Sequence, residues 1–99
     1  MTQPSSVAGG DDSAAQMISL VTEVAKALVD SPESVSVEAI QEGESTVIRL
    51  RVAPSDIGKV IGKQGRTARS LRTILAAASM KLRSRFALDI VEDHSNQTN

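Results

Sequence analysis

Three glycines and three cations alternate within nine residues near the middle of the chain, residues 58–66, GKVIGKQGR. Glycine weakens a helix interior but gives the backbone conformations that other residues rarely adopt. At a helix start, unpaired backbone amides together with nearby cations form a favourable place for an anion. These residue types therefore point to the binding of phosphate groups rather than to acid–base chemistry.

The apolar spacing around this stretch predicts two helices that meet at residues 62–65. Ile57, Val60 and Ile61 fall on one side of a short helix that ends at Gly62, and a longer helix follows from about Arg66. We expect Gly62 to close the short helix in the left-handed conformation. We expect Gly65 to reverse the chain and, having no Cβ, to let another backbone come close.

The cations around this corner support an anion site. Lys63 lies at its tip, and Lys59, Arg66 and Arg69 flank it. A cation in the first turn of a helix opposes the helix dipole by about 0.3–1 kcal/mol. Arg66 and Arg69 are therefore poor local choices unless an anion binds there. The alternative is a helix–helix corner whose cations are only solvated, and we favour the anion site because glycines, helix ends and cations coincide.

The remaining segments complete an α+β pattern. A first helix is predicted from Met17 to Leu28, capped by Asp12 or Ser13. Period-two alternation predicts strands at residues 35–38, 46–52 and 85–91, and the first two form a hairpin around Gly43. We expect Ser55 or Asp56 to cap the short helix. The order is helix, strand, strand, short helix, long helix, strand.

Length and composition limit the class of protein. The chain has 99 residues, enough for one domain, which we place at residues 14–92 with flexible tails at 1–13 and 93–99. There is no cysteine, no apolar run long enough to span a bilayer and no secretory signal. We therefore predict a cytoplasmic protein that does not enter the membrane and needs no metal or other cofactor.

The net charge of −1 conceals a strong separation of charge along the chain. Residues 49–85 hold ten bases and one acid, a net charge of +9, while the rest holds one base and eleven acids, a net charge of −10. A basic middle within an acidic frame favours one surface that meets a polyanion. An unliganded, solvated basic face is the simpler alternative.

Known phosphate motifs of enzymes fit this sequence poorly. Gly58-x-x-x-Gly62-Lys63-Gln64 is one residue shorter than a Walker loop and lacks its hydroxyl, and no strand directly precedes the glycines as a dinucleotide fingerprint requires. The chain also shows no clustered metal ligands and no nucleophile–base pair. We therefore predict that the protein is not an enzyme.

Residues 60–65, VIGKQG, match the [VI]-I-G-x-x-G signature of the KH family. The element order resembles the type II KH topology, α-β-β-α-α-β, in which a three-stranded mixed sheet packs on helices. One such domain fills most of a short chain, which resembles the bacterial KhpA family of single-KH-domain RNA-binding proteins. The resemblance covers residues 14–92.

The resemblance implies that the protein binds single-stranded RNA through the backbone of about four nucleotides. Carried over residue by residue, Gly62, Lys63, Gln64 and Gly65 would hold phosphates, and Lys59, Arg66 and Arg69 would add attraction that falls with salt. The bases would lie over an apolar groove, which we expect Ile57, Ile61 and parts of the second strand to line. With one Phe and no Trp or Tyr, aromatic stacking is largely absent.

The resemblance also implies an RNA chaperone or post-transcriptional regulator with links to cell elongation, cell shape and cell-wall homeostasis. KhpA-like proteins self-associate or pair with a larger KH-containing protein, KhpB. The apolar run at residues 74–80 is a candidate surface for such a dimer, with burial inside the domain as the alternative of equal weight. A protein-interaction module that does not itself bind RNA is the second functional hypothesis.

Overall fold

The computed structural model describes residues 9–92 and confirms the predicted α-β-β-α-α-β order. The main elements, in chain order, are α1 (Gly9–Leu28), β1 (Ser36–Glu42), β2 (Ser45–Arg51), α2 (Ile57–Ile61), α3 (Arg66–Leu82) and β3 (Arg85–Ile90). Short 3-10 turns occur at Pro32–Ser34, Pro54–Asp56 and Lys63–Gly65. Residues 1–8 and 93–99, which include most of the two predicted tails, lie outside the described part of the chain.

Helix α1 buries one stripe of side chains against the sheet. Met17, Val21 and Ala25 recur at four-residue steps and are buried, because such positions share one face of a helix. The predicted cap at Asp12 or Ser13 is wrong, since the helix begins at Gly9 and no proline in this stretch stops it from extending backward. Leu28 is 37% exposed because the helix ends there and Val29 enters the core instead.

The sheet has the order β1-β2-β3, with β1 antiparallel and β3 parallel to β2, so it is mixed as predicted. Strand β1 runs to Glu42, further than predicted, because Ala39 and Ile40 continue the pairing with β2. The hairpin therefore closes in two residues, Gly43 and Glu44. Gly43 has a φ of 63°, which a type II′ turn requires at its first central position.

The predicted alternation of β2 is confirmed. Ile48 and Leu50 are fully buried beneath the helices, whereas Arg51 is exposed on the other side of the sheet. Arg49, which also points away from the core, pairs with Asp89 of β3 at 3.2 Å. The helices thus cover one face of the sheet, and the charged side chains of β2 stay on the other.

Helix α3 carries the chain from the glycine-rich corner to β3. Ala68, Leu71 and Leu75 bury its inner face. The helix ends at Arg83, which adopts the left-handed conformation (φ 58°, ψ 37°) and donates its amide to the Ser79 carbonyl. That position usually holds glycine, and another residue there costs on the order of 1 kcal/mol.

Candidate nucleic-acid interface

Residues 62–65, here called the elbow, join α2 to α3. Gly62 has φ 80° and ψ 171°, a region that is essentially restricted to glycine. A Cβ at Gly62 would lie 2.8 Å from Cβ and 2.9 Å from the amide nitrogen of Thr67, and it would also overlap the Thr67 hydroxyl. The predicted left-handed conformation of Gly62 is therefore wrong, and the close approach predicted for Gly65 occurs at Gly62.

The left-handed turn lies at the end of the elbow. Gly65 has φ 74° and ψ 13°, and Gln64 before it has φ 57° and ψ 23°. A Cβ at Gly65 would meet no atom within 4 Å. The predicted reversal of the chain at Gly65 is therefore confirmed, while the left-handed conformation predicted for Gly62 occurs at Gly65 instead.

Two of the elbow's four backbone amides are used within the fold. The Gly62 amide donates to the Gly58 carbonyl at 2.9 Å, and the Gly65 amide donates to the Gly62 carbonyl at 3.1 Å. The amides of Lys63 and Gln64 form no hydrogen bond within residues 9–92, and both residues are exposed. The elbow thus offers two adjacent amides to a ligand. This is half of the four that its residues carry.

Three of the four predicted cations form no ion pair with any residue in the described range 9–92. Lys63, Arg66 and Arg69 are exposed, and none lies within 4.0 Å of a carboxylate in the described part of the chain. Lys59 differs, since its Nζ lies 3.4 Å from Asp30 and 3.9 Å from Asp56. The charge of Lys59 is therefore largely balanced by the protein itself.

Asp56 fixes α2 in place, although not as the predicted cap. Its side chain is 1% exposed and makes no capping hydrogen bond to α2. Its carboxylate instead accepts hydrogen bonds from the backbone amides of Asp30, at 3.3 Å, and Ser31, at 3.0 Å. Since both amides belong to the loop after α1, Asp56 ties the start of α2 to the end of α1.

A groove of about 440 Å³ lies beside the elbow, between α3 and the last residues of β3. It is lined by Ile61, Gly65, Ala68, Arg69, Arg72, Ile90 and Glu92. No residue of β2 is among these lining residues, because β3 is the edge strand beside α3 while β2 lies in the middle of the sheet. Of the two isoleucines that we expect beside the bases, Ile61 lines this groove, whereas Ile57 is half-buried and does not.

Arg72 is a groove residue that the sequence analysis missed. Its Nη2 donates a long hydrogen bond of 3.5 Å to the Leu88 carbonyl, so the guanidinium lies at the edge of β3. The spacing of the arginines could have indicated this position, because Arg72 follows Arg69 by three residues and so lies on the same side of α3. Ile90 and Glu92 could not be found in this way, since only the parallel pairing of β3 brings them to the groove.

Two helices joined by a Gly-x-x-Gly elbow, set on a mixed three-stranded sheet with a groove alongside, define a KH domain. A model of the KhpA/KhpB KH domain family matches residues 18–90. The chain therefore belongs to the KhpA/KhpB family.

Curated relatives named RNA-binding protein KhpA support this assignment. The protein from Caldanaerobacter subterraneus subsp. tengcongensis is 50% identical over 72 residues, covering 73% of this chain and 96% of the relative. The Halalkalibacterium halodurans protein is 50% identical and covers 77% and 100%. The Aquifex aeolicus protein is 51% identical and covers 74% and 92%.

The family is not one of enzymes, which agrees with the prediction from the sequence. Within residues 9–92, no group of three or more His, Cys, Asp or Glu side chains is placed to hold a metal ion. None of the described helices has the length and apolar character to cross a membrane.

Proposed function

We propose that the protein binds single-stranded RNA through the elbow and the adjacent groove. The observation that carries the proposal is the exposed pair of amides, Lys63 and Gln64, which form no hydrogen bond within residues 9–92 and lie beside cations with no ion pair in that range. Oriented amides and positive charge together match a phosphate. The names of the relatives support RNA as the source of that phosphate.

Each part of the site has a distinct role in this proposal. The amides of Lys63 and Gln64 contact phosphates, while Gly62 and Gly65 give the elbow the shape that exposes those amides. Arg66 and Arg69 attract the backbone from the start of α3. A base lies over Ile61 and Ile90, which supply the apolar surface of the groove. Lys59 contributes less, because Asp30 and Asp56 balance its charge.

The double substitution Lys63→Asp with Gln64→Asp tests this function. Both side chains are exposed, and aspartate tolerates the left-handed conformation of residue 64, so the fold should survive. We expect the affinity for a mixed cellular RNA pool at low salt to fall sharply. Each lost phosphate contact should also reduce the slope of log K against log salt by about 0.7.

The matched control is Gln16→Asp with Lys26→Asp, which makes the same two substitutions at exposed positions on α1. Its RNA affinity should fall much less than that of the elbow variant, because the net charge changes equally but the elbow is intact. Equal losses of RNA affinity in both variants would show that the effect comes from the change in net charge alone. Unchanged binding by a folded elbow variant would refute the proposal.

We further propose that RNA binding serves an RNA chaperone or post-transcriptional regulator in the cytoplasm, connected with cell elongation and the cell wall. The proposed partners are a second copy of this chain or a larger, KhpB-like KH protein. The outer face of α3 supports an association, because Ile74 is 46% exposed and Ala77, three residues further on, is exposed as well. Apolar side chains exposed on one helix face favour a protein contact.

The same apolar face supports the second hypothesis, a protein-interaction module that does not bind RNA. Capture of partners from a lysate separates the two functions. Capture that survives nuclease treatment but is lost with Ile74→Asp would favour the interaction module, provided that the elbow variant leaves it unchanged. Capture that nuclease abolishes would favour RNA binding.

A further inference from the structure

A second cavity, of about 800 Å³, lies at the opposite end of α3 from the elbow. Its lining includes Thr46 and Phe86 from the sheet, Met80 from α3, and Arg83 and Arg85 from the turn into β3. Ligand sites for small molecules commonly have volumes of about 300–1,000 Å³. The cavity therefore has room for a nucleotide, and the proposed elbow site does not use it.

The rim of this cavity is positively charged. Arg83 and Arg85, which both line the cavity, are exposed. Neither lies within 4.0 Å of a carboxylate in the part of the chain that the structure describes. Glu44 is the only acid among the described lining residues. The rim thus favours an anionic ligand.

The backbone at Arg83 adopts a conformation that favours glycine over arginine. Arg83 has a φ of 58°, in the left-handed region where helices commonly place glycine. The turn is well defined, because the amides of both Arg83 and Ser84 donate to the Ser79 carbonyl. A glycine would adopt this conformation more easily, so the fold alone does not account for an arginine at the rim.

Within a mostly polar lining, the cavity offers two large apolar side chains beside this cationic rim. Phe86, the only aromatic residue of the chain, is half-buried among the lining residues, and Met80 lies beside the cavity with its side chain exposed. An aromatic ring and a thioether offer a surface to a flat base, and guanidinium groups bind phosphate. An acidic peptide would use the rim but would leave the Phe86 ring and the Met80 thioether without a partner.

Resting on the proposed function, we propose that this cavity binds a nucleotide of a second RNA segment. Arg83 and Arg85 contact its phosphates, and its base lies against Phe86 and Met80. The 17 residues of α3 separate the cavity from the elbow by about 25 Å. One protein molecule therefore holds two RNA segments side by side, which would favour their annealing.

The first test follows backbone amides by NMR in the elbow variant, Lys63→Asp with Gln64→Asp. This variant disables every elbow, even where two copies of the chain associate, so the remaining RNA binding reports on the cavity. We expect a hexanucleotide RNA to shift the amide signals of Ser84, Arg85 and Phe86 in a saturable manner. Contacts to two phosphates predict a salt slope of about −1.4.

Adenosine monophosphate is the comparison ligand in the same experiment. Its effect on these signals should be weaker than that of the hexanucleotide, because a strand engages both arginines. An equal or stronger effect would assign the cavity to free nucleotides and overturn the proposal for RNA. An absence of shifts at these residues with either ligand would also overturn it.

The second test uses Arg83→Gly with Arg85→Gln in the otherwise unchanged protein. Glycine fits the left-handed position, so the turn should form at least as well as before. We expect annealing of two complementary RNA strands to be lost, while a single short strand still binds at the elbow. The control, Lys26→Gln with Arg51→Gln, removes the same charge from surfaces outside both sites.

The outcomes of the two proposals can be separated. Unchanged annealing by the Arg83→Gly, Arg85→Gln variant would refute the cavity site and leave the elbow's function intact. If the elbow variant instead binds RNA as tightly as the unaltered protein, the proposed function of the elbow fails. In that case the NMR shifts at the cavity still decide the second site independently.

Discussion

Gly62 and Gly65 frame the elbow but differ in what an added methyl group would meet. At Gly62 the methyl group would overlap Thr67, and the backbone lies in a region closed to other residues. At Gly65 the space around an added Cβ is empty, and only the positive φ of 74° disfavours a side chain. Glycine is thus required at position 62 by both the backbone conformation and the contact with Thr67, and it is favoured at position 65 by the backbone conformation alone.

We therefore expect Gly62→Ala to destabilise the protein far more than Gly65→Ala. The first should cost about 3 kcal/mol, because backbone strain adds to the overlap with Thr67. The second should cost about 1 kcal/mol, the usual penalty for a left-handed residue with a Cβ. Urea denaturation of the two variants measures the difference, and equal losses would contradict this account of the elbow.

At the scale of the elements, Asp56 fixes the position of α2 and so of the elbow that follows it. Its buried carboxylate binds two amides of the loop after α1, so the start of α2 is held against the end of α1. The sequence placed Asp56 at the right position and assigned it the wrong partners. A capping motif indicates that a side chain can accept a hydrogen bond from a nearby amide, but not which amide lies closest after folding.

Asp56→Ala should lower the free energy of unfolding by about 3 kcal/mol, since it removes two hydrogen bonds to a buried carboxylate, each worth about 1.5 kcal/mol. The matched control is Asp89→Ala, which removes a half-exposed ion pair with Arg49 and should cost at most about 1 kcal/mol. Urea denaturation compares the two. A cost for Asp56→Ala no larger than that of the control would show that the buried contacts do not hold α2.

How much of the structure could be predicted from the sequence depends on how far apart the interacting residues lie along the chain. The order of the elements, the buried face of β2 and the position of the elbow depend on neighbours a few residues apart, and all three are confirmed. The part of β3 that lines the groove could not be predicted, because it depends on the pairing of β3 with β2, residues some forty positions apart. The left-handed conformation was assigned to Gly62 instead of Gly65 because apolar periodicity carries no information on φ and ψ.

At the scale of the whole molecule, the cations of the basic segment can be located on the surface of the fold. Cations that form no ion pair within residues 9–92 lie near both ends of α3, with Lys63, Arg66 and Arg69 at the elbow and Arg83 and Arg85 at the far cavity. Between them, the outer face of α3 exposes Ile74 and Ala77. Association through this face, which contains no residue of the elbow or of the far cavity, would bring the RNA sites of two molecules together.

We expect Ile74→Asp to reduce self-association, because a charge would be buried at the centre of the proposed interface. Sedimentation analysis measures the change, and Leu28→Asp on α1 is the control, since Leu28 is a comparably exposed apolar residue outside that face. If two copies share one long RNA, dissociation should weaken its binding more than that of a short RNA, because only the long RNA gains from linked sites. If a folded Ile74→Asp protein associates as strongly as the unaltered protein, the outer face of α3 is not the interface.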